Sequence, residues 1–134
     1  MNNIEKYRPY VLALLRITAA YMFILHGTAK FWEFPISMTG GNGPVGDSMM
    51  IVGGVIEIVG SILLILGLFT RPAAFILSGQ MAFAYFFMHV AGKGNLLFPI
   101  ANGGELALLY SIIFLYFVFS GAGALSLDSR LYRK

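Results

Sequence analysis

Four apolar runs divide the chain, at residues 10–31, 49–68, 72–90 and 104–122. About 20 consecutive, mostly apolar residues carry a helix across the hydrocarbon core of a bilayer. The pattern therefore predicts one helix per run. The second and third runs are separated only by Phe69, Thr70 and Arg71, and Pro72 suits a first helical turn, so a tight helical hairpin is expected. The fourth run is the shortest. The two longer connections, residues 32–48 and 91–103, are rich in Gly, Pro and Asn and fall on the same side of the bundle. The expected fold class is all-α, a single domain forming an integral membrane four-helix bundle.

Composition turns this pattern into a membrane assignment. Hydrophobic residues make up 58% of the chain and charged residues 11%, with a mean hydropathy of +0.79, more apolar surface than a soluble domain of 134 residues can bury. Lys and Arg near span ends are retained on the cytoplasmic side. Lys6, Arg8, Arg71, Arg130, Arg133 and Lys134 fall on one face, against Lys30 and Lys93 on the other, so both termini are expected to be cytoplasmic. The sequence pI of about 9.3 thus reflects topology and does not indicate nucleic-acid binding. Lys6 and Arg8 ahead of an apolar run ending near Gly27-Thr28-Ala29 outline a secretory signal. Arg16 inside that run, and the charge asymmetry that needs the span, argue for its retention. The chain has no cysteine, so a redox role would require a bound cofactor or a partner.

Ionisable residues inside the spans are the candidate chemistry. Glu57 is the only charge in its run, and a lone carboxylate at membrane depth must meet a cation, take up a proton or line a wet cavity. Arg16, His26 and Lys30 of the first helix lie within a sector of about 80°, one polar stripe facing the bundle. Glu57 sits about 12 Å below the outer end of its helix and His26 about 7 Å below that of the first. Arg16 and Glu57 are expected as the buried charge pair, with snorkelling to the headgroups the alternative for Arg16. Gly53, Gly54 and Gly60 would let a neighbouring helix approach closely.

His89 ends the third run, with Tyr85 one turn earlier on the same face. Two histidines on different helices can ligate a b-type haem or hydrogen-bond the carbonyls of a quinone. Of the two, haem is disfavoured and a quinone stays open, while a histidine at a helix end often serves only as an interfacial or capping group, so the histidines alone assign no cofactor. No metal-ligand cluster has usable spacing. Asn102 and Glu105 have the spacing of a capping box at the start of the fourth helix, and Glu105 enters the membrane on the side of His26, Lys30 and His89. Gly40, Gly41, Gly43 and Gly46 form a lid or connector, since no strand precedes them as a nucleotide loop requires.

These residues resemble those of the DoxX family of small bacterial membrane proteins. The resemblance is carried by Leu15-Arg16, Gly27-x-x-Lys30, Glu57, Leu66-Gly67-Leu68-Phe69-Thr70-Arg71, His89, Asn102-x-Gly104-Glu105 and the tail Gly121-x-Gly123-Ala124-Leu125-Ser126-Leu127-Asp128. It covers nearly the whole chain. It implies a multi-pass protein of the bacterial inner membrane, similar to the membrane subunit of thiosulfate:quinone oxidoreductase. Other members are associated with membrane redox complexes and oxidative-stress defence, and the wider group includes membrane chaperones and assembly factors. The leading expectation is a membrane subunit of a redox assembly that binds a quinone or small molecule in an outward-facing polar pocket, with Arg16, His26, Lys30, Glu57, His89, Asn102 and Glu105 as the candidate ligand-binding residues. Lys30 would hold an anionic substrate or semiquinone, and Glu57 or Glu105 would exchange protons. The partners implied are the lipid bilayer, a redox protein and a second copy of the chain. The alternative is a non-catalytic scaffold or assembly factor that recruits a partner.

Overall fold

A computed structural model describes residues 2–131. Among them every regular element is helical. Arg133 and Lys134, two of the basic residues behind the expected orientation, lie outside the described residues.

Four long helices form the body: α1 (Arg8–Trp32), α2 (Ser48–Leu66), α3 (starting with Thr70–Ala84) and α4 (Glu105–Ser120). α1, α2 and α3 are long and apolar enough to cross a membrane, and α4 is a shorter apolar helix. Short helical turns at Asn2–Glu5, Pro99–Asn102 and Leu127–Leu131 flank them. α1 begins with Pro9 in its first turn, where the missing N–H leaves no bond unmade. α2 ends at Gly67, whose φ of 67° permits a Schellman closure. Gly67 N donates to Leu64 O at 3.1 Å and Leu68 N to Leu63 O at 2.8 Å. The hairpin into α3 is tight as expected, but its link is Gly67, Leu68 and Phe69, and Thr70 and Arg71 already belong to α3.

α3 does not run as one regular helix. Its α-helical part gives way to a π-helical segment, Tyr85–Val90, and then to Ala91–Lys93. A π turn inserts a residue into the helical register and so re-aims the side chains beyond it. The start of α4 also differs from expectation. Asn102 closes the short helix Pro99–Asn102, and Gly104 is the residue preceding α4, so no Asn102–Glu105 capping box forms. Gly103, at φ 77°, turns the chain between them.

α1 packs on α2, α2 on α3 and α3 on α4. The ring is closed by Phe23 of α1 meeting Tyr110 and Phe114 of α4 edge-on, each at 5.1 Å between ring centroids. Glycines set the closest crossings. A Cβ at Gly27 would stand 2.6 Å from Ile58, one at Gly54 2.7 Å from Phe31, and one at Gly60 2.8 Å from Leu77. Ser78 and Ser111 tie α3 to α4 reciprocally, each hydroxyl donating to the other's carbonyl, at 2.8 and 3.0 Å.

The body is apolar on its outside as well as in its core, and it holds several polar groups inside, unlike a water-soluble protein. Arg16, Lys30, Glu57, Ser61, Ser78, Asn102 and Ser111 are buried, whereas Leu14, Tyr21, Val55, Val59, Phe75, Ile76, Leu109 and Ile112 are exposed around the waist. Lipid is the solvent in which such an arrangement is stable. The helical hairpins gather the two long connections at one end of the bundle, and the start of α1, the described tail after α4 and the α2–α3 turn at the other.

Candidate functional site

The centre of the loop end is a buried ion pair. Lys30 Nζ donates to Glu57 Oε2 at 2.7 Å, with the side chains 11% and 3% exposed. Gln80 Nε2 of α3 donates to the same oxygen at 3.0 Å and to Gly53 O at 3.2 Å. The glycines of α2 make this possible. A Cβ at Gly53 would come within 3.1 Å of Gln80 Nε2, and one at Gly54 within 3.5 Å of the Lys30 stem. The Lys30 methylenes therefore lie on bare α2 backbone while the ammonium reaches inward.

Lys30 takes the place expected for Arg16. The Gly27–Gly54 crossing fixes the antiparallel register of α1 on α2, bringing Lys30 near Glu57 and Arg16 opposite the end of α2. Arg16 is fully buried there, and a Cβ on Gly67 would be 3.3 Å from its guanidinium carbon. It neither snorkels nor meets Glu57. Its Nε donates to Leu64 O at 2.7 Å, its Nη1 to Ala122 O and, at 3.2 Å, Ala124 O, and its Nη2 to Leu125 O at 2.9 Å. The charge is balanced by carbonyl dipoles, including one in the last turn of α2, where the helix dipole is negative. Arg16 is a clamp on the chain after α4, outside any loop-end pocket.

A cavity of about 300 Å³ adjoins the ion pair. Lys30, Glu57, His26 and Tyr110 contribute its polar lining, with Phe23, Met81, Leu106 and Ala107 as apolar wall. His26 stands perpendicular to the Tyr110 ring at 6.2 Å between centroids. His89 also lines the cavity, from the π segment of α3. The connection after α1 contributes Met38 as cover. That connection is folded on itself, since Glu33 Oε1 accepts hydrogen bonds from Ser37 Oγ, Thr39 Oγ1 and Gly43 N. Val45 N then donates to Lys30 O at 2.9 Å, pinning the connection to the end of α1.

Two further expectations come out differently. Glu105 is exposed and does not line the cavity. Asn102 is fully buried behind it, donating to Tyr85 Oη at 3.2 Å and Asn95 O at 3.1 Å while accepting from Gly104 N at 2.7 Å. Asn102 thus shapes the crossing into α4. Gln80, Tyr110 and Met38 belong to the site without having been expected there. The sequence signal for Tyr110 was its one-turn spacing from Ala107 and Phe114 on the buried face of α4. For Gln80 it was a lone amide within an apolar helix.

Among the described residues, Glu57 Oε1, Gln80 Oε1 and Tyr110 Oη are buried and have no hydrogen-bond partner. No group of three or more His, Asp or Glu side chains among the described residues could hold a metal ion. A larger depression, about 460 Å³, lies at the terminal end between the α2–α3 turn and the tail. Its charged groups serve the fold. The Asp128 carboxylate accepts from Phe69 N and Thr70 N, both at 2.9 Å, and Arg71 Nη1 donates to Val118 O and Phe119 O, both at 2.8 Å.

The DoxX family model matches residues 11–90, which include His26, Lys30, Glu57, Gln80 and His89. An uncharacterized protein of Haemophilus influenzae is 81% identical over 134 residues, covering the whole of both chains. The inner membrane protein YphA of Escherichia coli is 28% identical over 135 aligned positions, covering 92% of this chain and 91% of its own. No solved structure matches.

Proposed function

The chain belongs to the DoxX family and is a multi-pass protein of the bacterial inner membrane, and from that premise we propose that its loop-end cavity binds a quinone-class molecule as part of a redox assembly. The observation that carries this reading is the placement of the Lys30–Glu57 pair beside a cavity lined by two histidines. His26, His89 and Lys30 supply donors for the oxygens of a small ring, and Phe23, Met81 and Leu106 supply the apolar wall such a ring requires. Glu57 is the proton-handling group of the site. With no cysteine in the chain, electrons would pass between the bound ring and a partner protein. Arg16, Asn102 and Glu105 are not part of this site.

The test is binding of trimethylbenzoquinone and its hydroquinone to the full chain in lipid nanodiscs. Ala84→Leu fills the cavity from α3 without touching the ion pair, and is expected to weaken binding by about tenfold or more, equivalent to about 1.4 kcal/mol. Glu57→Gln should weaken binding of the hydroquinone as well. Absence of binding by either form to the natural chain would end this reading. The second reading, a scaffold for another membrane protein, is supported by buried polar groups that serve only helix packing, such as the reciprocal Ser78–Ser111 hydrogen bonds. It requires Ala84→Leu to leave partner recruitment intact and the natural chain to bind neither ring.

In the same reading all four long helices span the membrane, with both termini cytoplasmic and the cavity end outside. Lys6, Arg8 and Arg71 on one face support this orientation. The cysteine-free chain allows a clean check. An impermeant maleimide should label Asn42→Cys in cells with a permeabilised outer membrane and an intact inner membrane, and Asn3→Cys only after the inner membrane is opened. The reverse pattern would invert the topology.

A further inference from the structure

On the reading of the loop-end cavity as a binding site, the bonding capacity left open around it specifies the ligand more narrowly than its shape does. Glu57 divides its two oxygens unequally. Oε2 accepts from Lys30 Nζ at 2.7 Å and from Gln80 Nε2 at 3.0 Å. Oε1 is buried with no partner among the described residues, and so is Tyr110 Oη. Both residues line the same cavity. A carboxylate engaged with an ammonium group is ionised and can only accept, whereas a phenolic hydroxyl can donate or accept. The unmet need at Glu57 is therefore for a donor.

Charge and size narrow the choice. Lys30 and Glu57 cancel, and Arg16 is held at the other end of the bundle by four carbonyls. An anion would have to draw Lys30 away from Glu57 and leave a carboxylate uncompensated at membrane depth, which is strongly disfavoured. The ligand is thus neutral, in contrast to the anion expected at Lys30 from the sequence. A cavity of about 300 Å³ is at the lower end of the range for small-molecule sites and suits one ring with short substituents.

We propose that the cavity selects the reduced, hydroxyl-bearing form of a monocyclic ligand, a phenol or hydroquinone, whose O–H donates to Glu57 Oε1 and whose oxygen accepts from the Tyr110 hydroxyl. An oxidised quinone offers acceptors only. It can use Tyr110, Lys30 or a histidine, but it turns lone pairs toward Glu57 and leaves Oε1 without a donor.

The experiment compares trimethylhydroquinone, trimethylbenzoquinone and the dimethyl ether of trimethylhydroquinone on the full chain in nanodiscs without oxygen. The hydroquinone should bind about tenfold tighter than the quinone, as expected for one added hydrogen bond to a charged acceptor. The ether, which has the shape but no donor, should bind no better than the quinone. Tyr110→Phe should lower hydroquinone affinity several-fold and leave the melting temperature of the ligand-free protein unchanged, because its hydroxyl has no partner there. A quinone that binds as tightly as the hydroquinone, or an ether that does, overturns the donor assignment while the cavity remains a binding site. Failure of all three to bind overturns both.

Discussion

Replacing Lys30 with methionine is expected to cost about 3–5 kcal/mol of stability, and adding Glu57→Leu to recover most of that loss. The asymmetry comes from what each change leaves behind. Methionine keeps most of the stem that lies against Gly54, so packing is nearly preserved and the change is chiefly the loss of the ammonium. Glu57, 3% exposed, then retains only the Gln80 amide. A buried carboxylate with one neutral donor must take up a proton or draw water into the bundle. Removing both charges eliminates that problem. Thermal and chemical denaturation in detergent, arranged as a double-mutant cycle, measure the coupling directly. A Lys30→Met protein as stable as the natural chain would mean that Lys30 is solvated at the membrane surface, and would remove the pair from the centre of the site.

The partner of Glu57 shows where sequence reading reached its limit. That Glu57 needs a cation, and that Lys30 shares a stripe with His26, can be read from residue type and helical period. Which cation arrives depends on the register of α1 on α2, and that register is set where Gly27 and Gly54 meet. Arg16 was unreadable for a related reason. Its partners are backbone carbonyls, three of them more than a hundred residues away, and no side-chain pattern encodes a carbonyl's position. Glu105 was misplaced by phase. It precedes Ala107 by two residues, about 200° around the helix, so when Ala107, Tyr110, Phe114 and Phe117 face inward, Glu105 faces out. The π segment has no sequence mark that separates it from an ordinary helix end, yet His89 reaches the cavity from it. Helix positions were legible because the apolar runs are long and glycines and prolines separate them. The tail motif was legible as a motif, but its purpose became visible only with Asp128 capping the start of α3.

Arg16→Leu should be the most damaging single change at the terminal end, with a loss on the order of 3 kcal/mol or more, since several charge-assisted hydrogen bonds to buried carbonyls are removed together. Leu64 O, Ala122 O, Ala124 O and Leu125 O lose the donor that gathers them. The tail would then be held by Ala124 N on Pro9 O, Asp128 N on Gly67 O and the Asp128 carboxylate on Phe69 N and Thr70 N. Faster hydrogen exchange after Gly121 and protease cleavage of the tail should accompany the loss of stability. Arg16→Lys should restore part of it, because an ammonium group keeps the charge but cannot span the fan of carbonyls a guanidinium reaches. A snorkelling Arg16 would instead make Arg16→Leu nearly neutral. The two polar centres of the bundle can also be separated. Arg16 and Lys30 are fourteen residues apart on one helix, about 21 Å, so Arg16→Leu and Lys30→Met should add within about 0.5 kcal/mol. Ligand binding at the loop end should track Lys30 and not Arg16. Strong coupling between the two substitutions would show that clamp and ion pair form a single device, with the tail's attachment transmitted along α1 to the cavity.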